Sequence, residues 1–464
     1  MTSLHRPLGS TGLHCHPLGF GCYRVSDDDP THADALAGYF ERGGNLVDTS
    51  ANYMDGESER LVGRLLRDRA RDKVIVVTKG GYIQGSNLEL AQQREFPEVV
   101  RYGPGIWHSI HPEFLETQVS RSLERMQLGY ADVYLLHNPE YYLEDIAHHR
   151  PLEPPDYDEF YRRMREAFRY LETQVEAGRI RWYGISSNNY PRAPSEPGHV
   201  SVERSLAAAA AVSADHHFRV VQLPLNLYES GGSGILEYCR SKGIGVLANR
   251  PLNAYQGHQL VRLADFLPPG GRPPGVEELR ELLRPLAQHE QRLARELAAR
   301  LMGPGIAASL LDLVPQIRSV AHWEQAAGPH VIRPIQGWLE QCRREQAGKP
   351  EWETWLQEFL GLINGALEGV GRHLMARQQA GSDQVRVRLA QAGYPPSGES
   401  LSRLALNVLL GLEGLSCVLV GMRRASYVED AMGAAGLESV ESWRILKNFS
   451  RASDDVPGGC LVDV

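Results

Sequence analysis

Eight short apolar runs recur along the chain, separated by amphipathic stretches, and this alternation limits the possible folds more than any other feature. The runs are HPLGFG (16–21), NLVDTS (45–50), KVIVVTKG (73–80), ADVYLLHN (131–138), IRWYGISS (180–187), FRVVQLPLN (218–226), IGVLANRP (244–251) and LSCVLVGM (415–422). Between them lie segments such as THADALAGYFERGG and HPEFLETQVSRSLERMQLG, whose apolar positions return every three or four residues. The first ends on Gly-Gly and the second opens on proline, both helix punctuation. Near-continuously apolar strands bury both faces, as in a parallel sheet covered by helices. Eight strand–helix units predict an α/β protein with a closed (β/α)8 TIM barrel, and a doubly wound open sheet is the alternative. Ahead of the first run, LGSTGL reads as a hairpin turn.

Most runs stop on a polar residue: Asp48, Lys79, His137, Ser186 to Asn188, Gln222 and Asn249. Parallel strands point their C-terminal ends at one face, where barrel proteins of this class build their sites. Alone, Asp48 could cap a helix, Lys79 could be a solvated strand end and His137 a satisfied core histidine. Six polar ends in phase argue for a site.

Composition narrows the function. With 464 residues the chain exceeds one ordinary core, so it is either one large domain with insertions or two to three domains. A net charge of −8, with no run of Lys or Arg among aromatics, offers no footprint for nucleic acid. The six cysteines form neither a C-x-x-C pair nor a cluster at zinc spacing, which fits a reducing compartment and no metal. No secretory leader and no stretch of membrane-spanning length is recognised, so a cytoplasmic protein without a membrane partner is expected.

At the strand ends the residues resemble the aldo-keto reductases. NLVDTSANYMDGESERLVGRLL is similar to that family's aspartate, its tyrosine five residues on and its Gly-x-Ser-Glu helix start. VVTKG matches the family's lysine, LLHNPE its histidine and RIRWYGISSNN its nicotinamide-binding segment. The matches run from the N-terminal turn to about residue 255 and resume from about 400 to 435. The resemblance implies hydride transfer between a nicotinamide cofactor and a small carbonyl or sugar substrate. Such chemistry needs a proton source for the developing alkoxide and groups that hold its oxygen. Tyr53 would be the general acid or base. Its free phenol has a pKa of roughly 10, which Lys79 would lower, with Asp48 holding the lysine charged. His137 would donate or share a hydrogen bond that positions the substrate oxygen.

For the cofactor, the resemblance carries over Ser186, either Ser187 or Asn188, and Gln222 as partners of the nicotinamide carboxamide. Gly21 and Cys22 would approach it through backbone. The place of the family's ring-stacking aromatic falls nearer Asn226 than Tyr228. Gly421, Met422 and Arg423 would line the phosphate-binding turn. A 2′-phosphate wants a fixed cation, which Arg423 or Arg424 could supply, so NADP is expected ahead of NAD.

Two stretches depart from the family pattern. Residues 81–114 read as a long loop at the site face, where Trp107, His108 and His111 could touch substrate; His111, beside Pro112, could instead start a helix. Tyr141 and Tyr142, just past His137, are similar candidates. Residues 257–399 read as an inserted helical subdomain within a barrel of 1–256 and 400–464. LPPGGRPPG is its linker, Leu279, Leu283, Leu286, Leu293, Leu297 and Leu301 form one stripe kinked at Pro285, and Trp352, Trp355, Phe359, Ile363, Leu367, Val370 and Leu374 form another. The insertion is expected to act as a lid, with an oligomerisation or docking surface as the competing role. A nicotinamide-binding sensor, or an aldose dehydrogenase working oxidatively, is the alternative to a carbonyl reductase. Oligomeric state is left open.

Overall fold

The computed structural model describes residues 4–256, 259–266, 274–298, 300–317 and 319–454. Eight parallel strands close into a barrel: β1 (Leu18–Gly21), β2 (Leu46–Asp48), β3 (Ile75–Gly80), β4 (Ala131–His137), β5 (Ile180–Ser186), β6 (Phe218–Pro224), β7 (Gly245–Asn249) and β8 (Cys417–Val420). Each of the eight apolar runs supplies one strand. Each strand pairs with its predecessor in the chain, and β8 returns to β1 with Val418 opposite Leu18, so the sheet is closed rather than open.

Side chains alternate along a strand, and this period of two places the site. Leu46, Ile75, Val77, Val133, Leu135, Val220, Leu247, Cys417 and Leu419 form one buried cluster with Leu8 and Cys15. Two residues beyond Leu46, Val77, Leu135, Val220 and Leu247 come Asp48, Lys79, His137, Gln222 and Asn249. The inward-facing rows that build the apolar interior therefore end in a polar layer.

The expected N-terminal hairpin pairs Arg6–Pro7 with His14–Cys15 and buries Leu8 beneath the strands. Its turn needs glycine. Gly9 has φ +57°, and a Cβ there would lie 2.4 Å from the Gly245 nitrogen at the start of β7. Helices cover the outside, among them Pro30–Glu41, Glu57–Leu66, Pro112–Met126 and Pro154–Glu176. The Pro112 helix is capped by the His111 ring, which accepts the Glu113 N–H at 3.3 Å, so His111 starts a helix instead of reaching a substrate.

The stretch read as a long loop is structured. It contains the helix Ser86–Gln93 and a three-stranded antiparallel sheet of Tyr82–Ile83, Ile106–His108 and Val100–Gly103, packed on Ile83, Ala91, Phe96 and Phe114. Strands of two to four residues are too short for alternation to show, and only the Gly-Pro-Gly turn at 103–105 marks the hairpin.

The chain divides into two compact units, one of residues up to 263 together with 389–454, the other of 264–388. The second is helical, with Val276–Glu296, Ile306–Leu313, Val320–Ala326, Arg333–Glu345 and most of Pro350–Gln391. Its single core joins Leu279, Leu283, Leu286 and Leu293 to Trp338, Trp352, Trp355 and Phe359, as the two stripes require. Pro285 sits inside a helix that continues past it. Leu301 lies outside that helix, and residues 267–273 of the expected linker lie outside the described residues. Among the described residues no helix is long and apolar enough to cross a membrane, and no group of three His, Cys, Asp or Glu stands ready for a metal ion.

Candidate active site

Lys79 ends the inward row of β3 with no exposed surface. Its Nζ donates to Asp48 Oδ2 at 2.7 Å, to the Thr49 carbonyl at 2.9 Å and to the Tyr53 hydroxyl at 3.2 Å, so all three ammonium protons are committed. Burial alone would pull the lysine pKa down, but the Asp48 charge and the bonds to Asp48 and Tyr53 reverse this, and the ammonium is held.

Tyr53 opens the turn Tyr53–Gly56, in which Met54 and Asp55 are left-handed, with φ 49° and 52°. Such conformations are unfavourable without glycine. The Asp55 carboxylate anchors the turn by accepting both the backbone N–H and the hydroxyl of Ser86, at 3.0 and 2.9 Å. Burial pushes the Tyr53 phenol up to about 12 against the pull of Lys79. The expectation that the ammonium brings this pKa below its ordinary value is corrected: Lys79 offsets only part of the desolvation. The phenol is a proton-bearing group at neutral pH.

Asp48 faces Lys79 with one oxygen and accepts Gln222 Nε2 at 2.7 Å with the other. Gln222 Oε1 in turn accepts from Ser186 Oγ at 3.0 Å and Asn249 Nδ2 at 3.3 Å. Both Ser186 and Gln222 are 1 % exposed, and their polar atoms serve this interior chain. Asn249 Oδ1 is buried without a partner among the described residues.

His137 closes β4. Its ring stands edge-on to Tyr53 at 5.9 Å and to Tyr82 at 4.7 Å, and its Nδ1 lies 3.0 Å from Ser50 Oγ. Burial, reinforced by Lys79 and His108, holds it well below the ordinary histidine pKa, so the ring is neutral. His108 is wholly buried, with a pKa lowered to about 4 by burial; its Nε2 donates to the His137 carbonyl at 2.7 Å and its ring stacks on Tyr141 at 5.5 Å. His108 and Tyr141 thus gather round His137. Trp107, on the opposite face of its short strand, packs instead against the small core beneath the inserted sheet, with Arg101 over its ring. Tyr142 lies under Arg163.

Of the remaining expected residues, Gly21 pairs with Asp48 across β1 and β2, and the Cys22 N–H donates to the Asp48 carbonyl at 2.9 Å. The Cys22 thiol is fully buried, and burial raises its pKa. Ser187 is buried and Asn188 exposed; the Asn188 N–H donates to Glu140 Oε1 at 2.7 Å. Beyond β8, Gly421 is exposed with open space where a Cβ would sit, Met422 is buried, and Arg423 precedes the helix Ala425–Gly433. Sequence reasoning missed Ser50, Asn52, Tyr82 and Glu140. Ser50 and Glu140 stood within quoted motifs, whereas Tyr82 had no signal beyond its place after Lys79.

The chain is thus a closed parallel barrel that brings a phenol, an ammonium, a carboxylate and a neutral imidazole together at its strand ends. The model of the aldo/keto reductase family matches residues 17–259, and the chain belongs to that family. Similar proteins include the NADH-specific methylglyoxal reductase of Escherichia coli, 28 % identical over 28 % of this chain and 40 % of that protein, and the aldo-keto reductase YhdN of Bacillus subtilis, 25 % identical over 52 % and 59 %. The chain thus spans about half the length of these curated relatives. A solved aldo-keto reductase from Bacillus halodurans, in its holo form, shares the fold with a TM-score of 0.50 at 18 % identity, covering 96 % of this chain and 95 % of that one.

Proposed function

We propose that the protein transfers a hydride between a nicotinamide dinucleotide and a small carbonyl or alcohol substrate. The observation that carries this reading is the hydrogen-bonded series Tyr53–Lys79–Asp48 at 3.2 and 2.7 Å in the polar layer of the barrel. Tyr53 delivers its proton to the substrate oxygen as charge develops there. Lys79 stabilises the phenolate left behind, and Asp48, itself braced by Gln222, keeps the lysine charged and aimed. His137 holds the substrate.

The residues present fit a dinucleotide. The unpartnered Asn249 Oδ1 and the exposed Asn188 offer amide groups for a carboxamide beside Ser186, Ser187 and Gln222. The open backbone at Gly421, followed by Arg423, Arg424 and a helix N-terminus, suits phosphates. When bound, the nicotinamide supplies the hydride. The arginines favour NADP over NAD, while the E. coli relative is described as NADH-specific, so both must be tried.

Steady-state oxidation of NADPH and NADH is to be followed over a panel of aldehydes, ketones and aldoses, in both directions. Tyr53→Phe is expected to lower kcat by at least about 100-fold. Full turnover in that variant overturns the reductase reading.

A further inference from the structure

Three consecutive residues after Tyr53 are left-handed: Met54 at φ 49°, Asp55 at 52° and Gly56 at 91°. Glycine takes that conformation freely, whereas the Cβ atoms of Met54 and Asp55 crowd their own backbone. Such strain persists only where the surroundings hold it. Met54 is 48 % exposed, so the packing of its side chain does not supply the hold. The grip from outside the turn comes from Gln84–Ser86, next to the short inserted sheet. Asp55 Oδ1 accepts the Ser86 N–H at 3.0 Å and the Ser86 hydroxyl at 2.9 Å, and Asn52 Nδ2 donates to Gln84 Oε1 at 3.2 Å. Gly85 permits the approach: its φ is +53°, and a Cβ there would lie 2.5 Å from Asp55 Oδ1.

The gripping segment is itself fixed to the far side of the site. The Tyr82 hydroxyl accepts Asn138 Nδ2 at 2.6 Å, and His108, on the neighbouring strand, donates to the His137 carbonyl at 2.7 Å. The turn that carries Tyr53 is therefore clamped to a platform anchored at the end of β4. Inside the barrel the phenol is held by Lys79 Nζ at 3.2 Å, the longest of the three bonds that ammonium makes. One long bond is a weak restraint against two strained residues. We propose that Asp55 is a positioning residue: through Ser86 it keeps the strained turn closed, and the closed turn keeps the Tyr53 hydroxyl beside Lys79. Release of Asp55 lets Met54 and Asp55 relax to right-handed backbone, which carries the phenol away from the ammonium. This rests on the reading that Tyr53 is the proton donor. A donor must lie within hydrogen-bond reach of the oxygen it serves, so a small displacement suppresses the proton step. The expected cofactor partners Gln222, Ser186 and Arg423 stand on other elements and are left in place.

Two measurements test the proposal, one of them without turnover. In 13C spectra of the full chain labelled at tyrosine Cζ, the Tyr53 resonance is identified by its loss in Tyr53→Phe. Asp55→Ala should move that resonance toward the position of free tyrosine, whereas Asp55→Asn, whose amide oxygen still accepts from Ser86, should leave it in place. An unmoved resonance in Asp55→Ala overturns the proposal. In kinetics, Asp55→Ala should lower kcat about ten-fold or more, with the Kd for NADPH, from fluorescence titration, unchanged. Equal losses in kcat and NADPH affinity would mean general damage to the fold and overturn the positioning role. Met54→Gly added to Asp55→Ala removes the strain at one of the two residues and should return about three-fold or more of the lost kcat. No recovery overturns the strained turn as the cause. Turnover in Tyr53→Phe would remove the reductase reading, while the resonance would still decide whether Asp55 holds the ring.

Discussion

Glu140 shows how much a single buried group can shift. Fully buried, with Oε1 accepting the Asn188 N–H and Oε2 unpartnered among the described residues, its carboxyl is pushed up to about 7 by burial, with Glu144 adding to the rise. An unfolded chain would release that proton near 4.5. Between the two values the folded state binds more protons than the unfolded one, so folding stability falls as pH rises through this window and stays lowered above it. Glu140→Gln removes that component. Its melting temperature should fall less than the wild type's across the window and exceed it above, by the equivalent of about 1–3 kcal/mol; parallel pH profiles from thermal scans would contradict this. Asp48, Lys79 and His137 were readable in the sequence because each ends an apolar run in phase with the others. The tuning was not: Tyr53 is pushed upward and Ser50 reaches His137 because of surroundings built from residues far apart in the chain, which no local pattern records.

At the scale of elements, the segment after Tyr53 ties the site to the barrel wall. Glu59, on the first turn of Glu57–Leu66 and without exposed surface, accepts the Thr78 hydroxyl at 2.6 Å and Arg125 Nε at 2.6 Å. Thr78 faces outward between the inward Val77 and Lys79, so this bond braces the strand that presents the lysine. Removing the carboxylate leaves the Arg125 charge, itself largely buried, uncompensated. Glu59→Gln should destabilise the barrel by about 3 kcal/mol, visible as faster hydrogen exchange in β2 and β3; unchanged protection there would remove the bracing role. All eight strands of the barrel were legible as apolar runs, and helices such as Pro30–Glu41 and Pro112–Met126 from their periodicity. The inserted sheet at 82–108 was not, since its strands hold too few residues for a period to appear, and its order comes from packing on Phe96 and Phe114.

For the whole molecule, the N-terminal hairpin is the stopper of the barrel. Gly9 adopts a left-handed conformation against the backbone of Gly243 and Gly245, and any side chain would push the hairpin off the strands. Gly9→Ala should cost about 2 kcal/mol or more, read as a lower melting temperature; an unchanged one would show that the hairpin yields freely. The sequence suggests a helical unit over 257–399, and the contacts divide the chain at 263 and 389.

The sequential strand order carries a consequence for biosynthesis. Because β8 is encoded beyond the helical unit, a nascent chain holds seven paired strands, with β1 and β7 as raw edges, for as long as the ribosome takes to travel from Asn249 to Cys417. Unpaired edges invite other chains. The last stave of the cask is made late, and a chain that folds as it is synthesised would expose both edges to chaperones until it arrives.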